Sequence, residues 1–220
     1  MIVADDVWPV LVANADDTPA VLALAGTGAT VLGLGANGHW ARAGGRGPLL
    51  GDEGSAYAIA VAGLHAAARA VDGLTAASSL PNALVAETTV ADFEALPAWC
   101  ARSGKDAIAA LATVVFGAAE AGDAAARDVV IGQAGALARH AGAVARRLGL
   151  PDSACVLLHG GLFEKSAYYG HFFTVALREL GITCPVRPVT YNGHAAVIRY
   201  ASRAMSLPEE TRAVCASAAA

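Results

Sequence analysis

The sequence predicts a mixed α/β fold, and three features of its 220 residues lead to that prediction. Two runs of apolar, strand-forming residues near the amino terminus flank a glycine turn. Alanine-rich segments with apolar residues at helical spacing fill the middle of the chain, and the final third alternates short apolar runs with helical patterns. Because strands that alternate with helices are typical of β-α-β units, the order hairpin, helical insertion, β-α-β-α indicates an α/β architecture.

A strand hairpin is predicted at residues 21–25 and 29–34, because both runs are apolar and Gly26-Thr27-Gly28 between them is a turn signal. The uncharged run 18–38 is long enough to cross a bilayer. Its glycines and its alternating apolar pattern favour strands instead, so we expect no transmembrane segment. A second tight turn is predicted at 36–38.

The helical insertion is predicted over roughly residues 54–150. Gly54 or Ser55 is a suitable amino-terminal cap for its first helix, and Gly122-Asp123 supplies a stop glycine followed by a new cap. Pro81 and Pro97 interrupt the intervening stretch, where we expect short helices and turns. The predicted long helices cover residues 54–71, 104–121 and 123–148.

Two further strands, each ending in a glycine turn, are predicted in the carboxy-terminal third. An apolar run at 155–159 precedes Gly160-Gly161, and a run at 184–189 leads through Tyr191 and Asn192 to Gly193. The helices predicted after these turns cover residues 165–180 and 194–205, and the tail is expected to fray.

Composition excludes several classes of protein. The formal net charge of −4 gives no electrostatic footprint for nucleic acid or for an anionic membrane. The amino terminus lacks the basic region and apolar run of a signal peptide. The cysteines are far apart and form no C-x-x-C pair, which is typical of reduced thiols and predicts a cytoplasmic protein. They are Cys100, Cys155, Cys184 and Cys215.

Three familiar motifs are absent or incomplete. The run GLGANG at 33–38 matches G-x-G-x-x-G, but no helix pattern opens at its last glycine, so a hairpin turn is favoured over a dinucleotide site. His159-Gly160-Gly161 resembles an esterase oxyanion loop, yet the sequence contains no G-x-S-x-G elbow and no Walker A loop. The histidines show no metal-ligand spacing.

The remaining candidates are glycine turns and carboxylates. Backbone N–H groups at Gly26-Thr27-Gly28, with the hydroxyl of Thr27, would form a phosphate cradle. The carboxylates are Asp5 and Asp6 near the amino terminus, and Asp52 and Glu53 within the stretch GGRGPLLGDEGSAY at 44–57. Each feature also has a structural interpretation as a turn or a helix cap. Their order along the chain favours a functional one.

That order resembles the BadF/BadG/BcrA/BcrD ATPase and N-acetylglucosamine kinase family. The resemblance rests on ALAGTGAT, GGRGPLLGDEGSAY, the A-x-x-G-D helix join, LLHGGLFEK and YNGHAAV, and it extends over essentially the whole chain. It implies the actin-like ATPase (ASKHA) fold, in which two ribonuclease-H-like halves close over ATP. Residues 1–220 resemble the C-terminal half of that fold, an α/β domain with an inserted helical segment.

The resemblance also implies roles for individual residues, with ATP and Mg²⁺ as cofactors. Asp6 falls at the general base that takes the proton from a sugar hydroxyl. Gly26, Thr27 and Gly28 fall at the second phosphate loop, and Ala118 or Ala119 matches a region beside the nucleotide. The implied sugar-binding residues are Gly44, Gly45, Arg46 and Asp52, and the implied adenosine-binding turns contain Gly160, Gly161 and Gly193.

The sequence departs from the family pattern at several positions. No D-G-G-x-T first phosphate loop occurs, so we expect the N-terminal ATPase domain to be absent from this chain. Ala29 replaces a usual serine, Arg46 a common tryptophan and Asp5 a usual asparagine, and His194 is bulky for its position. We therefore expect the site to need a second half, supplied by a separate N-terminal domain or by a homodimer.

Three functions follow from the resemblance. The first is an ATP-dependent kinase for N-acetylglucosamine or a related amino sugar. The second is a BadF-type ATPase that activates a dehydratase or reductase through an iron–sulfur cluster. Because clusters need thiolates and the run ATVVFGAAEAGD at 112–123 has no cysteine, this reading is disfavoured. The third is a non-catalytic half that binds a partner.

Overall fold

A five-stranded mixed sheet forms the centre of the protein in a computed structural model, which describes residues 7–206. The spatial order of the strands is β3-β2-β1-β4-β5. The first three strands along the chain pair antiparallel, whereas β4 and β5 run parallel to β1. The strands are β1 (Ala20–Ala25), β2 (Ala29–Leu34), β3 (Trp40–Gly44), β4 (Cys155–His159) and β5 (Val186–Pro188).

Helices cover both faces of the sheet, and most of them lie between β3 and β4 in the chain. The helices are α1 (Val7–Ala15), α2 (Ala56–Val71), α3 (Leu80–Thr88), α4 (Leu96–Arg102), α5 (Lys105–Ala110), α6 (Ala112–Glu120), α7 (Ala124–Leu148), α8 (Gly161–Lys165), α9 (Ala167–Glu179) and α10 (Gly193–Ser206). A single 3₁₀ turn, Phe93–Ala95, precedes α4.

Alternate residues of the strands build two separate cores. In β1, Leu22 packs with α1 and α10 on one face, whereas Val21 and Ala23 pack with the helical insertion and α9 on the other. This division follows from the two-residue repeat of a strand, which points successive side chains to opposite faces. The result is a three-layer arrangement, and the predicted α/β architecture is confirmed.

The predicted hairpin and several predicted helix ends agree with the structure. β1 and β2 form an antiparallel pair around the 26–28 turn. The Ser55 hydroxyl caps α2 by accepting from the Ala58 N–H (3.1 Å). Asp123 caps α7 by accepting from the Ala126 N–H (3.0 Å), and Gly149, with a φ of 59°, ends that helix. These ends depend on local signals, which a sequence displays directly.

One prediction about secondary structure was wrong, and two short elements were not predicted. The helix predicted at 104–121 is two helices, because the Leu111 N–H bonds to the Ile108 carbonyl (3.0 Å) in a tighter turn. The helix predicted at 165–180 is confirmed as α9, which Ser166 caps, but the short helix α8 before it was not predicted. Strand β3 was not predicted either, and it pairs with residues 30–34 of β2.

Two smaller findings concern the prolines and membrane-spanning length. Pro81 and Pro97 lie in the first turns of α3 and α4, where they start helices rather than break them.

Among residues 7–206, no single helix combines the length and apolar character needed to span a membrane. One bent pair, Lys105–Glu120 with Ala124–Leu148, passes that test but turns by 120°. The predicted frayed tail beyond residue 206 lies outside the described residues.

Candidate functional site

Two pockets lie on either side of the 26–28 turn and share its residues Gly26 and Thr27. The first, which we call the helical-side pocket, has a volume of about 650 Å³ and is also lined by α5, α6 and α8. The second, the strand-side pocket, has a volume of about 250 Å³ and is also lined by β2, β3 and the loop after β3. The turn therefore forms a common wall between two adjacent cavities.

Hydrogen bonds fix the conformation of the 26–28 turn and leave two of its backbone N–H groups without a partner among residues 7–206. The Gly26 N–H donates to the Gly28 carbonyl (2.9 Å), and the carbonyls of Gly26 and Thr27 accept from the first two N–H groups of α2 (2.8 and 3.4 Å). The N–H groups of Thr27 and Gly28, and the exposed Thr27 hydroxyl, make no hydrogen bond to another residue within 7–206. Free, neighbouring backbone donors are suited to an anion such as a phosphate.

Asp52 lines the strand-side pocket rather than capping α2. Its side chain is 6% exposed, and its Oδ2 atom lies 2.7 Å from the Nζ atom of Lys105. The cap of α2 is Ser55, three residues further on. Asp52 therefore does not cap α2; it pairs with Lys105 and lies in the lining of the strand-side pocket.

The glycine-rich loop is fixed by the helices beneath it. The Gly54 N–H donates to the Gln133 side chain (2.8 Å), and the Gly54 carbonyl accepts from the Tyr169 hydroxyl (2.6 Å). Burial raises the pKa of Tyr169, which keeps the phenol protonated as a donor. Gly45 lines the strand-side pocket, and Gly44 packs against His140 with a φ of 70°. Asp52 is thus carried on an anchored loop.

An arginine that the sequence did not single out takes part in the strand-side pocket. Arg42, on β3, lines it and donates to the Gly45 carbonyl (3.0 Å) and the Thr30 hydroxyl (3.2 Å). The predicted Arg46 is exposed, and its backbone N–H donates to the Gly51 carbonyl (3.0 Å). Because β3 was not predicted, no signal placed Arg42 beside the loop.

The residues that the family resemblance implies for adenosine binding occupy different environments. Gly161 lines the helical-side pocket. Gly160 has a φ of 101° and packs on the end of β1, where an added Cβ would lie 2.5 Å from the Ala25 carbonyl oxygen. Ala119 is buried next to Glu120, which lines the pocket. The pocket also contains Phe116, which the sequence did not mark.

Gly193 lines neither of these two pockets, and Asp6 is not among the described residues. Gly193 begins α10, and the segment before it is fixed to α1 by Asn14, whose side chain accepts from the Thr190 and Tyr191 N–H groups (2.7 and 3.0 Å). Asp6 lies outside the described residues, as does Asp5. Val7, the first described residue, lines the strand-side pocket.

Comparison with known proteins identifies the family. A model described as the BadF/BadG/BcrA/BcrD ATPase family matches residues 2–198. The chain belongs to this family. The resemblance in the sequence motifs is therefore confirmed.

Members and relatives of the family include sugar kinases. An N-acetyl-D-glucosamine kinase of Dictyostelium discoideum is 32% identical over 164 residues, which cover 72% of this chain and 51% of that protein. An N-acetylmuramic acid/N-acetylglucosamine kinase of Clostridium acetobutylicum is 29% identical over 163 residues, covering 73% of this chain and 53% of that protein. The chain thus spans about half the length of the curated relatives it matches.

The fold agrees with this family. The crystal structure of a candidate N-acetylglucosamine kinase from Chromobacterium violaceum superposes with a TM-score of 0.66 at 26% identity, covering 89% of this chain and 63% of that one. The fold class predicted from the sequence, a ribonuclease-H-like, actin-like ATPase domain with an inserted helical segment, is confirmed.

Proposed function

We propose that this family member is the C-terminal half of an ATP-dependent kinase that phosphorylates N-acetylglucosamine or a related amino sugar. The observation that supports this function best is the pair of pockets that share the 26–28 turn. Phosphoryl transfer requires two ligands to be held so that a hydroxyl of one meets the terminal phosphate of the other. Two pockets with one common wall of free N–H donors satisfy that requirement.

The strand-side pocket is the proposed sugar site. A sugar presents many hydroxyl groups, and the lining of this small cavity includes Asp52, which supplies an acceptor, and Arg42, which supplies donors. Gly45 contributes backbone without a side chain. We assign the general base to Asp6, because Asp6 directly precedes Val7 in the chain and Val7 lines this pocket.

The helical-side pocket is the proposed nucleotide site. Its apolar wall, which includes Phe116 and Leu162, suits a base, and Lys165 supplies positive charge for phosphates. Gly161 lines the same pocket, together with this wall and the 26–28 turn. Ala119 and Gly160 would support the adenosine from behind this lining, whereas Gly193 lines neither pocket and its adenosine-binding role rests on the family resemblance alone.

Mg²⁺ would enter with the nucleotide. No group of three or more His, Cys, Asp or Glu side chains within residues 7–206 is arranged to hold a metal ion. Mg²⁺ usually binds through one or two carboxylates together with substrate phosphates, so such a cluster is not required. Asp106 lines the same pocket as Thr27 and is the carboxylate that we assign to the ion. The ion would neutralise phosphate charge.

A phosphorylation assay tests this function. The full chain is incubated with ATP and Mg²⁺ and a panel of amino sugars, alone and with a separately produced N-terminal half of a related kinase. We expect turnover of N-acetylglucosamine with both halves present, and its loss in Asp52→Asn. Turnover should also fall in Arg42→Ala, because Arg42 lines the proposed sugar site. If neither ATP nor any sugar binds or turns over in either arrangement, the kinase proposal fails.

The non-catalytic alternative rests on one observation. Leu49 and Leu50, at the tip of the glycine-rich loop, are 94% and 78% exposed, and exposed apolar side chains beside a cleft suit a protein partner. Under this alternative, Leu49→Asp/Leu50→Asp abolishes association with a second half, measured by analytical ultracentrifugation. If the double variant and the wild type associate equally, this surface does not dock a partner.

A further inference from the structure

We propose that Lys105 is a positioning residue for the sugar site, because it fixes the carboxylate of Asp52 in the orientation that receives the substrate. The inference rests on the proposed function and deepens it. It assigns a specificity-determining contact to the helical insertion, 53 residues along the chain from the loop that carries Asp52.

The contact itself is short, and it joins a buried carboxylate to a partly exposed ammonium group. The Lys105 Nζ atom lies 2.7 Å from Asp52 Oδ2, and the two side chains are 37% and 6% exposed. A buried carboxylate needs a compensating charge or hydrogen bonds. Within residues 7–206, Lys105 is the hydrogen-bond partner of this carboxylate, and Oδ1 makes no hydrogen bond there.

Lys105 and Asp52 are packed together against the 26–28 turn. A Cβ added to Gly28 would lie 3.4 Å from both the Lys105 Nζ and the Asp52 Oδ2 atoms. The ring of Tyr57 lies beneath the ammonium group, 5.9 Å from Nζ to the ring centroid. The lysine is therefore held from three sides, by the loop, the turn and the start of α2.

This arrangement leaves one carboxylate oxygen for the ligand. With Oδ2 bound to Lys105, Oδ1 remains to accept a hydrogen bond from a sugar hydroxyl in the strand-side pocket, which Asp52 lines. Without the lysine, the carboxylate is free to rotate and to turn towards Arg42, another cation that lines the pocket. A ligand would then meet a carboxylate that it has to reorient, which weakens binding.

The test measures sugar binding to the full chain by calorimetry, with N-acetylglucosamine as the probe. The variants are Lys105→Gln, Lys105→Arg, Asp52→Asn and the double variant Asp52→Asn/Lys105→Gln. Arg102→Gln is the control for charge removal, because this exposed residue lies three positions before Lys105 and away from the pocket lining. Adenosine binding reports whether the fold and the other pocket are intact.

We expect Lys105→Gln to weaken N-acetylglucosamine binding about tenfold or more, the loss of one charge-assisted contact. Lys105→Arg should restore most of the affinity, and adenosine binding and Arg102→Gln should be unaffected. Because Lys105 acts through Asp52, the double variant should bind the sugar no more weakly than Asp52→Asn alone. A merely structural lysine would not give this pattern.

Different results overturn different statements. Equal sugar affinity in the wild type and Lys105→Gln overturns the positioning role and leaves the proposed function in place. Additive losses in the double variant overturn it too, because they show that the lysine does not act through Asp52. Absence of N-acetylglucosamine binding in the wild type, both alone and with the N-terminal half of a related kinase, overturns the proposed function and the inference together. If Lys105→Gln does not fold, the comparison of Asp52→Asn with the uncharged double variant still decides the matter.

Discussion

Replacing Gly160 with alanine should destabilise the protein far more than the same change at the adjacent Gly161. Gly160 has a φ of 101° and a ψ of 163°, a region that only glycine adopts without strain. A Cβ at this position would also lie 2.5 Å from the oxygen and 2.9 Å from the carbon of the Ala25 carbonyl. These atoms belong to the central strand β1 and have little room to move.

Two terms set the magnitude. Backbone strain in this region costs about 1–3 kcal/mol, and forcing extra atoms into a packed site costs about 1–3 kcal/mol more. The free energy of unfolding should therefore fall by roughly 2–6 kcal/mol, which lowers the melting temperature by about 5–20 °C at ~2–4 °C per kcal/mol for a domain of this size.

Gly161→Ala is the matched control. No atom lies within 4 Å of a Cβ built on Gly161, and its φ is not in the positive range. Urea and thermal unfolding of both variants, followed by circular dichroism, measure the difference. A free energy of unfolding for Gly160→Ala within about 0.5 kcal/mol of the control would refute the reasoning, because surface changes already give that spread. The close packing of the 160 turn on β1 would then be incorrect.

Two further predictions concern the anchors of the insertion. Burial opposes ionisation of Asp123, but hydrogen bonds from the Ala126 and Ser79 N–H groups and from the Ser79 and Ser78 hydroxyls outweigh it and lower the pKa. Asp123→Ala should cost about 1–2 kcal/mol at pH 7. Because the folded-state pKa is depressed, the part of this cost that depends on ionisation should be complete above about pH 4 and be lost as the pH falls through the folded-state pKa, which urea unfolding across pH measures. Tyr169→Phe leaves the Gly54 carbonyl without its buried donor and should cost about 1–3 kcal/mol in the same assay, whereas Tyr168→Phe should change little.

Local signals explain what the sequence predicted correctly. The hairpin has a glycine turn between two apolar runs, and α2 and α7 begin at a serine and an aspartate that cap them. Each of these features is decided within a few residues. The order of the motifs along the chain then indicated the family.

Long-range pairing explains what the sequence did not predict. Strand β3 has only five residues, two of them alanine, and is a strand because β2 pairs with it. Arg42 enters the strand-side pocket only through that pairing. Lys105 contacts Asp52 although the two residues are 53 positions apart in the sequence, and no periodicity in either segment indicates the contact.

The stretch LLGDEGSAY shows why the helical insertion and the strand hairpin depend on each other. Asp52 lines the strand-side pocket, Gly54 is held by Tyr169, and Ser55 caps α2. The next two N–H groups, of Ala56 and Tyr57, bind the carbonyls of the 26–28 turn. Because those carbonyls are directed into the protein, the free N–H groups of the turn are left for a ligand. The hairpin alone would not fix the turn in this orientation, so the exposure of these free donors depends on the insertion's first helix.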